Sequence, residues 1–153
     1  MKQFDPRLSG AAPVSRVDTI DQQSLLLITA LRKFGQSDEH LFWENISSYI
    51  GPQRGDTARA YFDDLMQIFT RYARRPLMTH DGNCNCIGAD EANFALFICT
   101  ATHGDAEDAM LQAMLILRPD VVPSAVNLAQ QLGLMMGNVM PMPVAQQSAH
   151  HYH

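Results

Sequence analysis

The chain has 153 residues, 46% apolar and 18% charged, with a formal net charge of −5; this suits one domain that can bury a core without disulfides or metal to hold it. The charge is uneven: residues 1–76 hold ten Lys/Arg against nine Asp/Glu, whereas residues 77–153 hold Arg118 alone against seven acids, so the C-terminal half lacks the basic footprint that nucleic acid requires. Apolar runs such as Leu25–Ile28 and Ala95–Cys99 are too short to cross a membrane, no apolar stretch follows the polar start, and three cysteines make no secreted disulfide framework.

Residues 1–17 read as a flexible arm, 18–139 as a helical domain and 140–153 as a flexible tail containing Met, Pro and His. A first helix is expected from Thr19 to Phe34, capped by Asp18 and stopped by Gly35, with Ile20, Leu27, Leu31 and Phe34 on one face. A second follows Ser37, with Asp38 and Glu39 in its first turn, and ends before Gly51-Pro52. Asp56 is expected to cap a third helix that runs to Arg74 on a stripe of Ala58, Tyr61, Leu65, Ile68 and Tyr72. Arg71, Arg74 and Arg75 crowd its end, where cations suit the helix dipole, and Pro76 stops it.

After a loop from Pro76 to Gly88, a fourth helix spans Ala89–Thr102. Asp90 and Glu91 sit in its first turn, and the rest is apolar on nearly every side, which places it at the centre of a bundle. Asp105 caps a fifth helix ending near Leu117, with Glu107 and Asp108 in the first turn. Asp120 is expected to cap a sixth, with Pro123 in its first turn. There Val121, Ala125, Leu128, Leu132, Met135 and Val139 form a coiled-coil-like seam that either closes the core or joins a second copy. No segment reads as a strand. The expected fold is all-α: about six helices in a compact single-domain bundle.

The most chemically pointed stretch is His80-Asp81-Gly82-Asn83-Cys84-Asn85-Cys86. His80, Cys84 and Cys86 are the imidazole and thiolate ligands that zinc prefers, spaced H-x3-C-x-C, but zinc wants four ligands in a tetrahedron. Cys99 lies ten residues into the fourth helix, roughly 15 Å along its axis, and His103 lies further. The fourth ligand would come from Asp81, Asp90, His40, water or a second chain. Alternatively, Cys84 and Cys86 precede a helix N-terminus, where free N–H groups stabilise a thiolate, and form a redox pair whose small-ring disulfide is easily reduced. A third reading is an ordinary turn, since Asp, Gly and Asn favour turns and buried cysteine behaves as a small apolar residue.

Methionines at 110, 114, 135, 136, 140 and 142, with the two loop cysteines and His150, His151 and His153, suggest Cu(I); adaptable packing or a partner groove explains methionine more simply. The hairpin across His103-Gly104-Asp105 has the outline of a helix-turn-helix, but its second helix carries acids instead of base-reading and phosphate-binding groups. There is no phosphate loop, dinucleotide fingerprint or HExxH motif, and the carboxylate pairs Asp63-Asp64 and Asp90-Glu91 point apart on their helices. The sequence thus predicts a cytoplasmic, non-enzymatic protein acting through self-association or a protein partner, its loop being either a small metal-bound element, with zinc on His80, Cys84 and Cys86, or a thiol sensor. Two alternatives stand beside it: a thiol sensor or enzyme centred on Cys84 and Cys86, and a regulatory module touching nucleic acid through Arg71–Arg75.

Overall fold

In the computed structural model, the residues described are 10–137 and 139. Among them the chain forms six α-helices and two short strands: β1 (Pro13–Arg16), α1 (Gln22–Lys33), α2 (Glu39–Ile50), α3 (Pro52–Tyr72), β2 (Cys86–Gly88), α4 (Ala89–Thr102), α5 (Ala106–Met114) and α6 (Val122–Met136). A 3-10 turn at Pro119–Val121 leads into α6. The all-α bundle expected from the sequence is therefore present. No described helix is long and apolar enough to cross a membrane.

The two strands correct the expectation of a strand-free chain. β1 lies within the stretch read as an arm, and it pairs antiparallel with β2 at the end of the cysteine loop, Arg16 opposite Cys86 and Pro13 opposite Gly88. Ala89 N–H donates to Ala12 O and Val17 N–H to Asn85 O, both at 2.9 Å. A three-residue strand has no stability alone, so each strand exists because the other occupies its edge.

Helix α4 has the bounds read from the sequence, and it is central: it packs on α1, α5 and α6, while Phe94, Ala95, Phe97, Ile98 and Ala101 are buried. Phe94 and Phe97 meet Phe69 of α3 edge-on, with ring centroids 5.5 and 6.1 Å apart, a geometry that the ring quadrupoles favour. Four starts differ from expectation, that of α2 by one residue, since it begins at Glu39 after Asp38 and not after Ser37. Helix α1 begins at Gln22 because Asp21 caps it, its carboxylate accepting from Ser24 N–H at 3.0 Å. Helix α3 begins at Pro52, not at Asp56: proline suits the first helical position, where its missing N–H has no partner to lose. Helix α6 starts at Val122 after the 3-10 turn, so Asp120 is not its cap.

Helix α6 packs its buried face, including Val122, Ala125, Ala129, Leu132 and Met136, against α4 and α3. Of the seam read from the sequence, Ala125 and Leu132 lie in this buried face, whereas Val121, Leu128 and Met135 are only partly buried beside it. A Cβ at Gly133 would run into the Thr102 hydroxyl, so glycine is what lets α6 approach α4 this closely. Residues 140–153, with Met140, Met142, His150, His151 and His153, lie outside the described residues.

Candidate functional site

The loop between α3 and β2 is anchored by the first turn of α4. Asp90 and Glu91 are the buried charged residues of the described chain, at 1% and 0% exposure. Each holds a different arginine. Glu91 accepts from Arg32 Nε at 2.6 Å and from its Nη2 at 3.0 Å. Asp90 accepts from Arg75 Nη1 at 2.6 Å and from its Nη2 at 2.8 Å. These are two-point arginine–carboxylate pairs, the geometry in which both partners satisfy most of their hydrogen-bonding capacity.

The same four side chains also take up the loop's backbone. Arg32 donates Nη1 to Cys84 O at 2.8 Å and Nη2 to Cys86 O at 2.7 Å. Glu91 accepts from Gly88 N–H at 3.0 Å and from His80 N–H at 3.3 Å. Asp90 accepts from Met78 N–H at 2.9 Å. An irregular loop beside a core must place its backbone polar groups somewhere; here a clasp of two ion pairs receives them. Glu91 holds Arg32 still further above its ordinary arginine value, so the guanidinium stays charged.

Within this frame His80 and Cys84 meet. Cys84 Sγ lies 3.8 Å from His80 Nδ1, a reach suited to the large sulfur atom. His80 Nε2 lies 2.9 Å from Ala11 O. A carbonyl can only accept, so Nε2 carries the hydrogen and Nδ1 of the neutral ring is left to accept the thiol proton. Gly88 permits this placement: a Cβ there would press on the His80 ring at 3.0 Å. A polar hollow of about 670 Å³ opens beside His80, bordered by Arg32, Lys33, Asp38, Asp81 and Asn83.

The three residues read as zinc ligands are therefore not gathered alike. His80 and Cys84 face each other, but no group of three or more His, Cys, Asp or Glu side chains among the described residues is arranged to hold a metal ion. The surroundings of the loop thiols include more than the helix N-terminus expected from the sequence. Gly88 N–H at the N-cap and Ala89 N–H, the first of α4, are taken by Glu91 and Ala12 O; His80 Nδ1 lies near the Cys84 sulfur, and Arg32 holds the Cys84 carbonyl. Cys99 stands apart on α4 with its Sγ 3.9 Å from Ser24 Oγ, and burial pushes its thiol above the ordinary 9.0.

Of the arginines read as a basic cluster, Arg75 is committed to Asp90, which leaves Arg71 and Arg74 exposed. Arg32 was missed by sequence reasoning, although it carried a signal. It falls four residues after Ile28, on a part of α1 that is buried, where an arginine requires an acid. Compared with protein-family models, curated proteins and solved structures, the chain matches none.

Proposed function

We propose that the protein is a thiol-based sensor whose reactive group is Cys84, with His80 as its base. The observation that carries this reading is the pair of contacts on the His80 ring: Nε2 at 2.9 Å from Ala11 O, which can only accept, and Nδ1 at 3.8 Å from Cys84 Sγ. Nucleophile, base and an orienting acceptor are the three parts an activated thiol needs. The substrate class is a small hydroperoxide, since Cys84 is partly exposed and its base His80 borders the polar hollow. Nδ1 takes the thiol proton, and the thiolate attacks the peroxide oxygen. The S–O bond forms as O–O breaks, and the departing oxygen takes a proton to leave as water or an alcohol. The Cys86 thiol then displaces the sulfenic oxygen as water, giving a short-ring disulfide that a thiol reductant reopens.

The test is dimedone trapping and peptide mass spectrometry after brief hydrogen peroxide treatment, with Cys99 as internal reference. Its thiol titrates above the ordinary value, so it reacts last and gains only at alkaline pH. Cys84 is expected to label first, and His80→Gln to slow labelling about tenfold or more at neutral pH. Cys86→Ser should prolong the trapped adduct. Equal labelling of Cys84 and Cys99, or indifference to His80→Gln, overturns the proposal. Elemental analysis of the same untagged protein separates it from zinc bound by His80, Cys84 and Cys86: near-stoichiometric metal that protects Cys84 would support zinc instead.

Self-association, the other function read from the sequence, has support of its own. Leu111, Met114 and Leu115 are exposed at 63%, 38% and 70% and lie three and four residues apart at the end of α5. Light scattering of Leu111→Asp against the parent chain tests it; an unchanged monomer mass in both removes it.

A further inference from the structure

A second cavity, of about 480 Å³, lies where α1, α3 and the chain from Ala73 to Thr79 converge, and Cys84 does not border it. Its walls include Leu31, Phe34, Met66, Phe69 and Leu77, with Arg74 at the edge, and no carboxylate borders it. Arg75 also borders it, but its guanidinium is committed to Asp90. Arg74 is exposed and has no ion-pair partner among the described residues.

We infer that this cavity binds a small amphipathic carboxylate, its apolar body among Leu31, Met66 and Leu77 and its carboxylate on Arg74. The volume lies within the roughly 300–1,000 Å³ of ordinary ligand sites, and such sites pair mostly apolar walls with a few placed polar groups. An arginine fork matches a carboxylate in two-point geometry. A neutral ligand of the same length would leave Arg74 without an anion, and a cation would meet it directly. This assignment is independent of the thiol chemistry at Cys84.

The experiment is a titration of the full chain, followed by calorimetry and backbone NMR shifts, with decanoate, decanol and decylamine below their aggregation limits. Decanoate is expected to bind saturably, one per chain, and to shift Arg74, Leu77 and Thr79. Decanol should bind about tenfold more weakly or worse, the value of one charge-assisted contact, and decylamine not at all. Arg74→Gln should remove the preference for decanoate over decanol. Leu77→Trp should block both ligands, with circular dichroism verifying the fold. Equal affinity for decanoate and decanol overturns the inference, as does an unaltered preference in Arg74→Gln. Displacement of decanoate by a single-stranded oligonucleotide that depends equally on Arg71 and Arg74 would assign this surface to nucleic acid instead.

Discussion

Two helices of this protein begin with the same signature and use it in opposite ways. Helix α4 opens Ala-Asp-Glu at residues 89–91, and helix α5 opens Ala-Glu-Asp at 106–108. In both, acids in the first turn complement the positive end of the dipole. Glu107 and Asp108 are exposed, and their turn is held locally by Asp105, whose carboxylate accepts from Asp108 N–H at 3.2 Å. Asp90 and Glu91 are buried and hold arginines 15 and 59 residues away. The dipole says where an acid is tolerated. It does not say whether that acid is solvated or has become the anchor of a distant segment. That depends on whether a cation elsewhere is buried against it.

The largest expected effect is at Glu91. Glu91→Gln keeps the shape but leaves Arg32, 5% exposed, without its counter-charge. Removing one member of a buried pair costs about 3–5 kcal/mol, a large part of the total stability of an ordinary domain. Urea denaturation should show the midpoint falling with an unchanged slope. A loss near zero would mean that the pair is solvated and that the contrast with α5 is false.

Arg32→Leu with Glu91→Leu sharpens the point. Replacing a buried pair by apolar residues is often neutral or stabilising. Here the pair also serves Cys84 O, Cys86 O, Gly88 N–H and His80 N–H, and leucine serves none of them. Each buried group left unpaired costs roughly 1–3 kcal/mol, so the double variant is expected to recover little of the single variant's loss. Full recovery would show that the loop's backbone finds water readily and that the clasp acts only through charge.

Asp90→Asn is the intermediate case. Arg75 is 28% exposed, so water can share the task of solvating it, and asparagine can still accept from Met78 N–H. A loss of about 1–3 kcal/mol is expected by the same unfolding measurement, smaller than that of Glu91→Gln.

This contrast also explains what was legible in the sequence. The bounds of α4 were, because its apolar run, its first-turn acids and the Gly104 beyond its end are local signals. The His80–Cys84 proximity was legible as a spacing of four residues in a turn. The start of α3 was missed because Pro52 is equally good at ending one helix and beginning the next. The strands were missed because Pro13–Arg16 is mostly exposed and Cys86–Gly88 is three residues long, so neither shows an alternating pattern. The clasp joins four side chains from α1, the loop and α4. No window of sequence contains all of them, and only the burial of Arg32 makes Glu91 more than a first-turn acid.

The smallest effect is expected at Asp108, and its sign is the informative part. Its carboxyl titrates above the ordinary 3.8 because of the hydrogen bond and the negative charge of Asp105 beside it. A carboxyl raised in the fold binds its proton more tightly there than in the unfolded chain. Its contribution is therefore present below the unfolded value and is lost as pH rises through the folded value. On that sign, ionising Asp108 is expected to weaken the fold slightly at neutral pH, despite its place at a helix N-terminus. Asp108→Asn is expected to leave the neutral-pH melting temperature unchanged or slightly raised, and to remove a shallow decline in stability just above the ordinary carboxyl range. A clear loss at neutral pH would mean that the dipole outweighs Asp105 at this turn. The acids of α5 would then contribute to stability as those of α4 do, and only their partners would differ.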